Sequence, residues 1–208
     1  MPGVEIRSLG RRAAVAVLAG CAWMAWAGTA LAQPAAKPPA PTLSERLAVC
    51  AACHGADGNS VLANSPSLAA QPRVFLETQL IVIREGLRII PAMQGLLEGV
   101  SDQDITAMAR HFAALPIKPQ PGPRDEARFE RGRALAGTMH CASCHLPAYE
   151  GREQMPRLAG QREDYLLHSM REFLSGQATG RDTIMASALH GLNDAQLGDL
   201  AHYLAQLK

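Results

Sequence analysis

Residues 50–54 read CAACH and residues 141–145 read CASCH, so Cys50, Cys53 and His54 recur as Cys141, Cys144 and His145 at the same spacing, 91 positions later. Two thiols three residues apart with an imidazole directly after them suit three kinds of chemistry. A thioredoxin-like pair exchanges disulfides, and a zinc site takes the thiolates as soft ligands. The third use is covalent attachment of haem, with the histidine as a ligand to its iron. A redox pair needs no histidine after it in both copies. One zinc site built from both pairs has to bridge distant halves and leaves the histidines unexplained. Of the five cysteines only Cys21 lies outside the motifs. If it leaves with an export signal, the mature chain has no disulfide framework and no spare thiolate. The paired motifs therefore predict two covalently bound haem c groups.

That signal is legible at the N-terminus. Arg7, Arg11 and Arg12 precede the mostly apolar run 13–27, and Ala30, Leu31 and Ala32 offer small-residue cleavage before Gln33. This reading makes 1–32 a signal peptide and the protein periplasmic. Two alternatives stay open: Leu18-Ala19-Gly20-Cys21 resembles a lipobox that would lipidate Cys21, and 13–32 almost reaches the length of an uncleaved anchor. Membrane contact is otherwise expected only through partners. The 208 residues suffice for one ordinary domain or two small ones, and a net charge of +1 gives no polyanion-binding signature. Nucleic acid is not expected as a partner.

On a helix, positions three apart share a face, so the two thiols can bond the two vinyl groups along one edge of a porphyrin while the next residue supplies the proximal imidazole. The sixth iron ligand must come from elsewhere, and comparing the halves suggests it. Pro66-Ser67-Leu68-Ala69-Ala70-Gln71, Phe75-Leu76 and Gly86 recur as Pro156-Arg157-Leu158-Ala159-Gly160-Gln161, Tyr165-Leu166 and Gly176. One unit is repeated. Each copy then reaches a methionine, Met93 or Met185, eight residues before a helix-start signal: Ser101 with Asp104, and Asn193 with Gln196. A lone methionine reads as core filler, but equal placement in both repeats favours ligation. Met108, Met139 and Met170 read as packing. Met155 is the rival in the second half, although a segment so soon after His145 should run on the proximal side of the ring. His111, His140, His168, His190 and His202 do not occupy matched loop positions and read as surface or packed side chains. Histidine with methionine raises the reduction potential and leaves no open coordination site, so the expected chemistry is one-electron transfer.

The elements that must hold these groups read as helical throughout. Thr42 and Glu45 form a capping-box signal for a helix running into Cys50, and helical periodicity covers 73–86, 102–114, 126–140, 162–176 and 194–207. No convincing strand pattern appears. The proline-rich stretch 33–41 reads as a flexible N-terminus and 116–124, PIKPQPGPR, as an extended connector. The fold expected is all-α, with haem domains at 42–115 and 125–208. The first holds five basic and seven acidic side chains and the second nine and eleven, so each carries about −2 and neither has a lysine ring to identify a partner. Arg88 and Arg181 lie near the methionine loops, as propionate partners or as ordinary solvated arginines.

CHGADGNS at 53–60, the two Pro-x-Leu-Ala-x-Gln stretches, the matched methionines and the terminal helices resemble the cytochrome c4 family over nearly the whole mature chain. The resemblance implies two tandem class I cytochrome c domains related by pseudo-twofold symmetry, with haem edges facing each other. It implies that the Pro66 and Pro156 carbonyls accept hydrogen bonds from His54 and His145. The second half departs from the pattern, with CHLPAYEGREQM in place of the Gly-Asn-Ser turn. The function implied is a periplasmic electron carrier, not an enzyme, linking a quinol-oxidising complex or dehydrogenase to a terminal oxidase. Two alternatives are a dedicated cytochrome subunit of a periplasmic dehydrogenase and a dihaem redox enzyme such as a peroxidase. The enzyme would need an open or cysteine-ligated iron.

Overall fold

The computed structural model describes residues 40–208. The signal segment, Cys21 and residues 33–39 of the proline-rich stretch lie outside the described residues. Within 40–208 the chain is helical, and an isolated bridge between Arg152 and Met155 is the one β-type pairing among the described residues. No helix there is long and apolar enough to cross a membrane.

The first half holds α1 (Leu43–His54), α2 (Arg73–Arg84), a single 3-10 turn (Pro91–Met93) and α3 (Asp102–Ala114). Thr42 starts α1 by a reciprocal pair: its hydroxyl accepts from the Glu45 N–H at 3.3 Å, and the Glu45 carboxylate accepts from the Thr42 N–H at 2.7 Å. Ser101 caps α3 by accepting from the Asp104 N–H at 3.1 Å, but the Asp104 carboxylate, one methylene shorter than a glutamate, takes the Ser101 hydroxyl at 2.9 Å. In α3 the spacing of Ile105, Met108, Ala109 and Phe112 makes one buried stripe. It packs against Leu76 of α2 and Leu47 of α1.

The second half holds α4 (Glu126–Thr138), α5 (Ala142–His145), α6 (Glu163–Leu174), α7 (Ile184–Ala188) and α8 (Asp194–Ala205). Periodicity predicts a helix over 126–140, yet α4 stops at Thr138 and His140 turns left-handed at φ 54°. The second motif therefore starts on a fresh short helix, whereas the first continues α1. Every residue from Leu200 to Ala205 of α8 is buried, and α4 and α6 pack along this helix to form the larger core. Gly132 is the contact point of α4 with α8: a Cβ there would fall 2.2 Å from the Asp199 carbonyl oxygen.

The connector 116–124 is held along its length. The Asn59 amide donates to the Pro116 carbonyl at 3.1 Å and accepts from the Lys118 N–H at 2.7 Å. Gln206 donates to the Gly122 carbonyl at 3.0 Å, and the buried His202 accepts from the Asp125 N–H at 3.0 Å while facing Glu163 on its other nitrogen. The halves also meet directly. Arg162 donates to the Ser60 carbonyl at 3.2 Å, Asp164 accepts from the Asn64 N–H at 3.1 Å, and Gln71 and Gln161 each reach into the opposite half.

Candidate haem sites

In the first half Cys50, Cys53 and His54 occupy the last turn of α1, and the chain then leaves through Gly55 at φ 82°. A side chain there would put its Cβ 2.4 Å from the Asn59 carbonyl oxygen, so this exit requires glycine. The turn brings Pro66 back over His54, whose ring Nδ1 lies 2.8 Å from the Pro66 carbonyl oxygen. A carbonyl only accepts, so Nδ1 carries the proton and Nε2 is left with its lone pair. The second half repeats this geometry. His145 is 4% exposed, and its Nδ1 lies 2.9 Å from the Pro156 carbonyl oxygen. Its Nε2 is buried with no hydrogen-bond partner. A buried, unpaired imidazole nitrogen is costly unless something electrophilic meets it, and a haem iron is a group that would do so. Burial lowers the pKa of both imidazoles, only partly opposed by the proline carbonyls, and so favours the neutral form that binds metals.

The thiols speak against disulfide exchange. Burial pushes the Cys50 and Cys141 thiols above their ordinary pKa, opposite to the lowered pKa of an exchanging pair. Cys53 and Cys144 are exposed. Each motif thus presents one sheltered and one open sulfur, with the histidine buried beside them.

The two halves follow one backbone path with different residues. Gly58 at φ 73° is matched by Tyr149 at φ 54°, and each carbonyl accepts from the paired amides that follow, Leu68 and Ala69 in one half and Leu158 and Ala159 in the other. Leu146, at φ 69° and ψ 161°, stands where the first half has Gly55. The Tyr149 ring packs edge-on against Tyr203, centroids 5.8 Å apart.

Met93 ends the 3-10 turn, packs against the cluster of Leu97, Val100, Ile105 and Met108, and lines a cavity of about 350 Å³ with Ile83, Arg88 and Ile90. Met185 lies in α7, a helix that periodicity does not predict, and packs against the second core. Met155 pairs with Arg152 and directly precedes Pro156, whose carbonyl oxygen meets Nδ1 of His145. Met108 and Met170 are core residues, and His140, His168 and His190 are exposed. Arg181 is internally paired: it donates to Ser169 at 2.7 Å, pairs with Glu172 and lies over the Phe173 ring at 4.3 Å. Burial and then the neighbouring Arg88 charge lower its pKa. Its Nε has no partner, and Arg88 donates to Gln79.

Two helical domains in tandem, each folded around a Cys-x-x-Cys-His motif with a carbonyl-held histidine, define a two-domain c-type cytochrome. Residues 129–208 match the cytochrome c family model, and residues 43–111 match the model for cytochrome c oxidase, cbb3-type, subunit III. Cytochrome c4 of Pseudomonas aeruginosa is 34% identical over 171 residues, covering 78% of this chain and 85% of that one. The thiosulfate dehydrogenase electron acceptor of Thiomonas intermedia is 32% identical, over 92% of this chain and 88% of its own. The crystal structure of reduced recombinant cytochrome c4 from Pseudomonas stutzeri superposes with a TM-score of 0.71 at 31% identity, covering 81% of this chain and all of that one. The chain belongs to the cytochrome c4 family, and it is an electron-transfer cytochrome.

Proposed function

We propose that this protein carries single electrons between redox proteins of the periplasm through two covalently bound haem c groups. Cys50 and Cys53 hold one haem and Cys141 and Cys144 the other; His54 with Met93, and His145 with Met185, are the axial ligands. Bound in this way, each haem supplies an iron that cycles between ferrous and ferric states without opening a coordination site. The observation that carries the reading is the buried, unpaired Nε2 of His145, fixed in its tautomer by the Pro156 carbonyl. The repeat of that bond at His54 and Pro66 supports a second site of the same kind.

The test combines intact mass with spectroscopy. Protein matured with haem-attachment machinery is expected to show two haem masses on a chain beginning at Gln33. Met93→Ala and Met185→Ala are each expected to abolish one methionine-to-ferric-iron charge-transfer band, with Met155→Ala leaving both. One haem mass, or loss of a band in Met155→Ala, overturns the corresponding assignment.

A second reading, a dedicated acceptor for a periplasmic dehydrogenase, is favoured by the likeness to a thiosulfate dehydrogenase electron acceptor over 92% of the chain. Rapid-mixing reduction by a thiosulfate-oxidising dehydrogenase, compared with reduction by a quinol-oxidising complex, separates a dedicated acceptor from a respiratory carrier.

A further inference from the structure

Gln71 and Gln161 are 4% and 3% exposed, and both carboxamides reach the opposite half of the molecule; Gln161 Oε1 also accepts from the Arg162 N–H of its own half at 3.0 Å. Gln161 Oε1 accepts from the Ser67 N–H at 2.8 Å, and its Nε2 donates to the Ser67 carbonyl at 2.9 Å. Gln71 does the same to Arg157: Oε1 accepts from the N–H at 3.0 Å and Nε2 donates to the carbonyl at 3.0 Å. The Ser67 N–H belongs to the peptide group whose oxygen is the Pro66 carbonyl. The Arg157 N–H belongs to the peptide group that contains the Pro156 carbonyl. Those two oxygens hold Nδ1 of His54 and of His145 at 2.8 and 2.9 Å. One peptide group therefore accepts from a histidine of its own half and donates to a glutamine of the other.

We infer that Gln161 is a positioning residue for His54, and Gln71 for His145, so that each half tunes the proximal ligand of its neighbour. This rests on His54 and His145 being the proximal ligands. Hydrogen bonds in series polarise one another: donation from a peptide N–H to a carboxamide oxygen makes the carbonyl at the other end of that group a stronger acceptor. A stronger acceptor at Nδ1 makes the imidazole more basic, as partners of metal-bound histidines do. A more basic imidazole stabilises ferric over ferrous iron and lowers the reduction potential. The two-point grip on Ser67, or on Arg157, also fixes the peptide plane, and with it the direction of the carbonyl and the ring. Deleting a glutamine is expected to raise the potential of the haem across the interface, not that of its own half.

The crossed pattern sets this apart from simple loosening of the interface. Holoprotein variants Gln161→Leu and Gln71→Leu are compared with wild type by redox titration followed by NMR, with haem-methyl and axial-imidazole ¹⁵N signals assigned to each half. Gln161→Leu is expected to raise the potential of the first haem and move the His54 Nδ1 signal; Gln71→Leu does so for the second haem and His145. Equal shifts of both haems, shifts confined to the variant's own half, or no shift overturn the inference. Should the leucine variants fail to assemble, Gln161→Glu and Gln71→Glu keep an acceptor for the peptide N–H. They are expected to leave the crossed potential at or below its wild-type value, and a rise there refutes the role. Imidazole signals without paramagnetic shift in wild type refute the ligation beneath the inference; shifted signals with no crossed response refute the inference alone.

Discussion

Alanine at position 132 is a severe perturbation for one methyl group. Gly132 faces α8 so closely that a Cβ would sit 2.2 Å from the Asp199 carbonyl oxygen, 2.7 Å from Tyr203 Cβ and 2.8 Å from the Asp199 carbonyl carbon. Two of these three atoms are helix backbone and cannot rotate aside, so α4 must withdraw from α8 by about 1 Å to restore ordinary contact. Overpacking of this kind costs about 1–3 kcal/mol, while alanine in place of a mid-helix glycine returns about 1 kcal/mol in helix propensity. The net expectation is a loss of up to about 2 kcal/mol, or up to about 8 °C in melting temperature for a chain of this size, where Gly137→Ala gains. Gly137 of the same helix is the control, because a Cβ there meets nothing within 4 Å. Gly137→Ala is expected to gain up to about 1 kcal/mol. Thermal unfolding followed by far-ultraviolet circular dichroism measures both. If Gly132→Ala proves as stable as Gly137→Ala, close backbone packing is not what holds α4 against α8.

Leu146→Gly is expected to stabilise the second half by about 1 kcal/mol in urea unfolding, since a leucine held at φ 69° and ψ 161° occupies a region open almost only to glycine; a destabilised variant would show that the leucine side chain matters more than its backbone strain. Burial and then the adjacent Tyr203 push the Tyr149 phenol up to about 12 from 10.0. The stability this contributes is fully present below pH 10 and is lost as pH rises towards 12, because the unfolded chain ionises first. Tyr149→Phe should flatten that alkaline slope, and an unchanged slope counts against the assignment. Burial pushes the Asp164 carboxyl up, but hydrogen bonds from Arg162, Asn64 and Tyr165 and the Arg162 charge outweigh it and hold the pKa below 3.8. Its contribution is therefore present above that value and lost as pH falls further. Asp164→Asn should lose less stability than wild type over that acid range, and identical acid titrations would remove Asp164 from the account.

Much of this was open to inspection in the sequence, for identifiable reasons. The starts of α1, α3 and α8 were legible because a cap is a local device: Thr42, Ser101 and Asn193 each accept from an N–H three residues on. Apolar spacing marks α2 and α6 for the same reason. The break at 139–141 has no such signal beyond Gly137, because it comes from His140 turning left-handed, which residue type alone does not require. α7 lacks a side-chain cap at Thr183 and spans only Ile184–Ala188, too short for periodicity to register. Leu146 and Tyr149 mislead outright: they occupy left-handed positions that a sequence reader assigns to glycine, as Gly55 and Gly58 do in the first half. The glutamines were visible as matched repeat positions. Their reach was not, because pairs separated by 86 and 94 residues leave no local pattern.

The two copies of the motif share their histidine geometry but not their surroundings. Both histidines meet a proline carbonyl at nearly equal distance, so on the proposed ligation the iron centres differ little in their nearest partners. The differences lie one layer out. In the first half Ser60 donates to the Cys53 carbonyl at 2.8 Å and Asn59 straps the connector, while Gly58 leaves room against Phe112. In the second half Tyr149 fills the matching place and buries its ring against Tyr203. Polarity and burial around a haem shift its potential even when the ligands stay the same. Two copies with one histidine geometry and unlike surroundings are therefore expected to bind haems of unequal potential; two resolved midpoints in a redox titration would bear this out and a single midpoint would refute it. The connector strapped at both ends and the crossed glutamines hold the two halves in one register. Fixed separation is what transfer within a molecule needs if it is to outrun exchange between molecules that must first collide.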